Sequence, residues 1–183
     1  REKTYRPGSY RSFYIHDPKK RLISAAPFRD RVVHHWLIGK LNPLFEKQFI
    51  YDSYACRVGK GTHAAVRRAQ LHIRRHPWLV QVDFSAYFAS IDHHHLRTLL
   101  RRRFKRRCVL ALFDRILDRT PLPPGRGLPI GALTSQHLAN AYLDRIDRLL
   151  LQDLQVRGMV RYMDDLIWWV DYRARARATL AEV

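Results

Sequence analysis

One stretch constrains this chain more than any other: Met159 to Val170, where Asp164 and Asp165 interrupt a largely apolar run. Two adjacent carboxylates between apolar segments are expensive to bury unless something offsets their charge. At the tip of a tight β-hairpin they project from the sheet edge toward a cation, so this run predicts a hairpin turning at Met163-Asp164-Asp165. An Asp-Asp pair by itself is usually a solvated turn. The functional reading needs a partner elsewhere in the chain.

Leu79-Val80-Gln81-Val82-Asp83-Phe84 supplies one. Trp78 to Phe84 reads as a buried strand, and a strand beside the hairpin would bring Asp83 against Asp164. The structural alternative for Asp83 is helix capping, a role that Asp92 fills better. Carboxylates are hard ligands that suit Mg²⁺, which retains waters and substrate phosphate oxygens in its octahedron. Two such ions about 3.5–4 Å apart activate an attacking 3′-hydroxyl and stabilise a leaving pyrophosphate. In-line phosphoryl transfer needs mainly positioning and charge neutralisation, so few side chains suffice.

The charge balance points the same way. Lys and Arg number 34 against 16 Asp and Glu, a formal net charge of +18. Such an excess implies a polyanionic partner, because neutralised phosphates release condensed counterions. A solvated basic surface, as on a ribosomal protein, also implies nucleic acid. A membrane-surface role needs a basic amphipathic helix with little other core, which the 46% hydrophobic content of this chain does not match. Cys56 and Cys108 lie far apart without CxxC spacing, which fits a reducing compartment and a cytoplasmic location. No apolar run approaches the roughly 20 residues of a membrane span, and no signal peptide is visible. The chain starts on Arg1 and stops at Glu182-Val183 inside a helix-like stretch, so it reads as an excerpt of a longer protein.

Along the chain, Phe13 to Ser24 alternates and is basic, like a hairpin turning at Asp17-Pro18. Val33, Trp36, Leu37 and Leu41 predict a helix after Pro27, and Thr62 is placed to cap a second helix using Ala65, Val66, Ala69 and Ile73. Asp92 is the expected N-cap of a helix with Leu96, Leu99, Leu100 and Phe104 inward. Pro121 to Pro129 reads as a loop. Thr134 or Ser135 then begins a long helix striped by Ala139, Leu143, Ile146 and Leu150. Helices and strands in this order predict an α+β fold.

The local motifs resemble those of reverse transcriptases. Val82-Asp83-Phe84-Ser85-Ala86-Tyr87-Phe88 looks like motif A, and Tyr162-Met163-Asp164-Asp165 looks like motif C. Between them, Gly127 to Gln136 continuing into Leu138-Ala139-Asn140-Ala141-Tyr142-Leu143 looks like motif B. Arg21-Leu22-Ile23-Ser24 to Arg31 and Tyr54 to His63 resemble the fingers motifs of prokaryotic members, so the match spans about residues 10–172.

The resemblance implies a right-hand polymerase fingers and palm, with an antiparallel palm sheet packed on helices and the thumb absent. It puts the N-terminal part of the fingers at 1–78 and the palm with motifs A, B and C at 79–183, with a fingers segment recurring around 105–130. It implies an RNA-directed DNA polymerase, poorly active as a fragment without a thumb, that uses two Mg²⁺ ions (or Mn²⁺) held by Asp83, Asp164, Asp165 and the Phe84 carbonyl. Arg21, Phe84, Ser85, Ala86, Tyr87, Phe88, Ile130 and Gly131 are the expected nucleotide contacts, with Phe88 as the steric gate against a ribose 2′-hydroxyl. Lys19, Lys20, Arg57, Lys60, Ser135, Gln136, Tyr162 and Met163 are the expected template and primer contacts. The implied partners are an RNA template, a DNA or RNA primer and dNTPs, together with a basic accessory protein and no membrane.

Motif B departs from the group II intron and retron pattern, which carries Gln-Gly and Ser-Pro where this chain reads Ile130-Gly131 and Ser135-Gln136. That form is similar to enzymes of diversity-generating retroelements, which are prokaryotic or phage-encoded and copy RNA with frequent errors at adenine. Ile130 offers no hydrogen bond to an incoming nucleotide, which implies looser selection.

The rival readings are an RNA-dependent RNA polymerase, a silent RNA-binding module on the same fold, and an intron-, retron-, defence- or CRISPR-associated reverse transcriptase. His93-His94-His95 cannot share one helix face and reads as structural. Arg101-Arg102-Arg103 with Lys105-Arg106-Arg107 reads as a phosphate or accessory-protein contact. Trp168-Trp169 reads as core and partner-facing strand, and Arg173, Arg175 and Arg177 as solvated.

Overall fold

The computed structural model describes residues 5–16 and 18–183. The chain folds as two compact units, Arg1–Asn42 with Ala86–Tyr142, and Pro43–Ser85 with Leu143–Val183. Each unit draws on both sides of residue 78. Helices and antiparallel sheets are mixed throughout, as an α+β fold requires.

The first unit opens with a hairpin, β1 (Arg11–His16) against β2 (Lys20–Ala25), in antiparallel register from Arg11↔Ala25 to His16↔Lys20. Pro18 of the expected turn is described, whereas Asp17 lies outside the described residues. Helix α1 (Phe28–Gln48) follows and continues across Pro43 into the second unit. Leu37 and Leu41 are buried as the spacing requires, but Trp36 is 60% exposed and does not join them.

Two helices follow α2 (Thr62–Ile73) and β3 (Trp78–Asp83) of the second unit: the short α3 (Tyr87–Ser90) and then α4 (His93–Arg103). Asp92 caps α4 as expected, its carboxylate accepting the His95 N–H at 2.7 Å, and Leu96 and Leu100 are buried. Sequence reading missed α5 (Arg107–Asp118), whose Phe113, Ile116 and Leu117 are buried. The basic run at its start masked the helical spacing. Helix α6 (Leu133–Arg148) begins at Leu133, so neither Thr134 nor Ser135 precedes it, and both are buried in its first turn. It runs on as a π-helical turn at Leu149–Asp153.

The second unit holds a three-stranded antiparallel sheet of order β3, β5 (Asp165–Val170), β4 (Gly158–Tyr162). Helix α7 (Arg173–Ala181) packs on β3 and β5. Leu150, Met159, Leu166, Trp168 and Val170 form its main buried cluster, and Trp168 Nε1 donates to Thr179 Oγ1 at 2.8 Å. Trp168 and Trp169 are both fully buried, as expected for core, so neither ring is exposed to a partner. Arg175 is half-buried and donates to the Leu154 carbonyl, whereas Arg173 and Arg177 are exposed.

Two local expectations are corrected here. β3 is an edge strand rather than a fully buried one, with Trp78 and Leu79 exposed and Val80 and Val82 half-buried. Helix α2 is preceded by Gly61 as its N-cap, without a side-chain cap, and Thr62 Oγ1 instead donates to Tyr162 Oη at 3.2 Å. Its inward face uses Ala65 and His72, while Val66 and Ile73 are exposed.

Candidate active site

Asp83 ends β3, Asp165 begins β5, and the two are register partners. Directly opposed residues on antiparallel strands project from the same face, with Cβ atoms roughly 4.5–5.5 Å apart. Both aspartates are exposed. This corrects the sequence expectation by one residue, since Asp165 rather than Asp164 faces Asp83. Asp164 lies instead in the two-residue turn closed by Tyr162↔Asp165, where it is half-buried.

The turn has a demanding backbone. Met163 has φ 58 and is the turn's contribution to the non-glycine residues of positive φ. A positive φ at the first central position alone marks a type II′ turn, which favours glycine there. A methionine in that conformation is held by its surroundings.

Arg161 provides the hold. Its side chain and that of Asp147 are both 0% exposed. Arg161 Nε donates to Asp147 Oδ1 at 2.7 Å and Nη2 to Oδ2 at 2.7 Å, while Nη1 donates to the Met163 carbonyl at 3.1 Å. Burial pushes the Asp147 carboxyl above the usual range, and the Arg161 guanidinium opposes that rise. The Arg161 backbone is tied as well, its N–H donating to the Asp52 carbonyl and its carbonyl accepting from Tyr54 N–H, both at 2.9 Å. Asp52 in turn accepts two bonds from Arg68 and one from Tyr54 Oη.

Neither Arg161 nor Asp147 was singled out from the sequence. The available signal was a lone charge within an apolar strand and another beside an apolar helix stripe. Opposite charges at two buried positions are expected to pair.

Like charges directly opposed across a sheet are unfavourable, and a hard divalent cation relieves that repulsion. The donor set fits Mg²⁺, which is commonly held by one or two carboxylates plus substrate oxygens. Among the described residues, no group of three or more His, Cys, Asp or Glu is gathered closely enough to hold a metal by itself. Phe84 is half-buried against the cluster around Trp168, and Ser85 is exposed.

Two expected template residues are engaged within the second unit. The Arg57 side chain is only 7% exposed, and its guanidinium donates to Glu46 and to the carbonyls of Ile50 and Ser53. Its Nε and Nη1 therefore brace the 46–57 segment. The Lys60 ammonium donates to the Tyr51 carbonyl at 2.7 Å and stands 3.4 Å from the Tyr51 ring centroid. Burial first, and then Arg57, lower its pKa. Tyr162 is exposed and Met163 half-buried.

The first unit carries the other expected nucleotide residues. Ser24 N–H donates to the Ile130 carbonyl at 2.9 Å, so β2, which bears Arg21, is joined to the loop before α6. A Cβ on Gly131, at φ +110, would meet Ile23 Cγ2 at 3.0 Å, which explains a glycine at this close approach. Lys19, Lys20 and Arg21 are exposed, Lys20 lying over the Tyr14 ring, and Ile130 is 37% exposed. Ala86 takes a left-handed φ of 49. Tyr87 is buried and donates to the Ala139 carbonyl at 2.6 Å, so its ring is a strut. Phe88 is half-buried and packs edge-on against it. Ser135 is buried and Gln136 half-buried. His93 donates to the Gly127 carbonyl at 2.7 Å, a structural role.

This is the fingers-and-palm fold of right-hand polymerases. Apo telomerase from Candida tropicalis superposes with a TM-score of 0.67 over 95% of this chain and 45% of its own, at 9% identity. Telomerase from Candida albicans gives 0.64 over 98% and 40%, at 11% identity. Residues 15–183 match the family described as Reverse transcriptase (RNA-dependent DNA polymerase), and the chain belongs to that family. Protein YkfC of Escherichia coli (strain K12) is 27% identical over 188 residues, covering 96% of this chain and 49% of that protein. The group II intron-encoded protein LtrA of Lactococcus lactis is 27% identical over 158 residues, covering 81% and 26%. The chain thus spans about half the length of the first relative and a quarter of the second.

Proposed function

We propose that this chain is the fingers-and-palm part of an RNA-directed DNA polymerase, and that Asp83, Asp164 and Asp165 are its catalytic carboxylates. The pairing of Asp83 with Asp165, one residue from Asp164, carries the reading. Bound there with the Phe84 carbonyl, two Mg²⁺ or Mn²⁺ ions would supply charge neutralisation and a more acidic 3′-hydroxyl. The chain itself orients these carboxylates. The backbone of Phe84 to Tyr87 is assigned to the triphosphate, together with Arg21, Ile130 and Gly131, and Phe88 to exclusion of the 2′-hydroxyl. Lys19, Lys20, Arg57, Lys60, Ser135, Gln136, Tyr162 and Met163 are assigned to template and primer. The division into fingers at 1–78 and palm at 79–183 follows the same reading.

The partners proposed are an RNA template, a DNA or RNA primer, dNTPs and a basic accessory protein, in the cytoplasm of a prokaryote or its phage. Among the described residues no helix is long and apolar enough to cross a membrane. The Ile130-Gly131 and Ser135-Gln136 form of motif B supports an error-prone enzyme of a diversity-generating retroelement. A second reading, an intron-type reverse transcriptase, is favoured by the likeness to LtrA.

Primer extension on an RNA template tests the function, using the protein at its full natural length. Incorporation of dNTPs over rNTPs is expected, and Asp83→Asn or Asp164→Asn should slow it at least about a hundredfold, or ~2.7 kcal/mol in barrier. Parental rates in both variants would sink the mechanism. Sequencing the product separates the two subfamilies, since frequent misincorporation opposite adenine supports the first and faithful copying the second.

A further inference from the structure

The hairpin tip needs a device that holds Met163 in its left-handed conformation, and the structure contains one. We infer that Arg161 is a positioning residue: clamped by Asp147, it fixes the turn that carries Asp164 and Asp165 and so sets the tip's affinity for divalent cations. The inference rests on the reading of that tip as the metal-binding carboxylate site.

Three observations converge on it. The guanidinium makes a two-pronged pair with Asp147 at 2.7 Å in each arm, so its plane and position are determined by α6. Its remaining terminal nitrogen reaches the carbonyl of Met163, the residue whose φ of 58 sets the direction of the chain into Asp164. Its own backbone is pinned on both sides to 52–54, so β4 cannot slide away from the clamp. A planar fork with five donors can hold a carboxylate and a carbonyl at once, which an ammonium cannot do in the same plane. Helix α6 is thereby linked to the turn through one side chain.

The same geometry explains why so costly an arrangement is kept. A buried ion pair is often replaceable by apolar residues with no loss of stability. An apolar pair, however, donates nothing to the Met163 carbonyl. The polar version therefore does something for the turn that stability alone does not require.

That contrast provides the test, on the full-length protein. The double variant Arg161→Met with Asp147→Leu keeps the interior filled while removing the clamp, and Arg161→Lys keeps the charge while removing the fork. Three quantities are read: hydrogen exchange of the peptide covering 162–165, the Mg²⁺ midpoint of metal-induced thermal stabilisation, and single-turnover nucleotide addition. In both variants the turn should exchange faster and the Mg²⁺ midpoint should rise about tenfold or more, the usual effect of losing a partner that orients a metal ligand. RNA binding at low Mg²⁺ should stay at the parental level. Should the double variant fail to fold, the Arg161→Lys protein carries the test alone.

Parental exchange in a folded variant overturns the inference whatever the activity, and so does faster exchange with an unchanged Mg²⁺ midpoint. Asp83→Asn serves as the separate control. If it retains the parental Mg²⁺ response, the catalytic reading of the tip fails, and that result is independent of Arg161.

Discussion

Two clusters of charge lie within a few residues of each other in the second unit and are built in opposite ways. At the sheet edge, Asp83 and Asp165 face each other as like charges, exposed to solvent. In the interior beneath the turn, Arg161 and Asp147 meet as opposite charges with both side chains fully buried. The buried pair is satisfied within the protein, by a fork of hydrogen bonds that offsets much of the cost of leaving water. The exposed pair instead sets carboxylate against carboxylate, a repulsion that a bound cation would relieve. Under the proposed reading, the exposed pair would hold the ion at the edge while Arg161 and Asp147 hold the turn from the core.

The comparison is broken most forcefully from the buried side. Asp147→Ala leaves the Arg161 guanidinium without its counter-ion in the interior, and unfolding by urea should show a loss of about 3–5 kcal/mol. A loss below about 1 kcal/mol would mean that the pair is solvated and that the contrast is false.

Gly158→Ala comes next. A Cβ at that position would fall 2.1 Å from the nearest atoms of the His72 ring, and His72 is stacked on Trp169 at 5.0 Å. Overpacking of this kind costs roughly 1–3 kcal/mol, again readable from a urea transition. Native-like stability would show that the ring moves aside freely.

His72 sharpens the picture through pH. Burial first, and then Arg68, lower its pKa from the ordinary value of 6.5. The unfolded chain therefore takes up a proton at His72 before the folded chain does. The neutral ring contributes stability above about pH 6.5, and that contribution fades as the pH falls below it, by at most about 1.4 kcal/mol per pH unit. His72→Phe, which keeps a ring against Trp169, should flatten the stability curve between about pH 6.5 and 5. An unchanged slope would show that the ring protonates freely in the folded state.

The smallest effect belongs to the exposed pair. Asp165→Asn removes one of two opposed like charges, so without divalent cation the protein should melt about a degree higher. With Mg²⁺ added, the parent should gain more than the variant. A variant that melts lower in both conditions would show that Asp165 contributes structurally rather than waiting for an ion.

Much of the candidate site could be read along the chain, because its signals are local. A charged pair within an apolar hairpin, a second apolar run ending on Asp83, and the cap at Asp92 all depend on neighbours a few residues away. Errors arose where neighbours were distant. Thr62 looked like a cap, yet its hydroxyl reaches Tyr162, 100 residues away. Trp36 fitted the apolar spacing of α1 and is nonetheless exposed, since spacing places a residue on a helix face but does not ensure that the face is covered.

What the amino-acid sequence determined by itself is local: one carboxylate ending an apolar run, two more within an apolar hairpin, a strongly basic charge balance, and the order of the motifs around them. Local patterning settles such features because alternation, capping and turn preference act over a few residues. Only the tertiary structure decided that Asp83 faces Asp165 and that Arg161 reaches from Asp147 to the turn. Strand register and buried pairing join remote segments and are selected by how the whole interior packs, and no short window of sequence contains both partners.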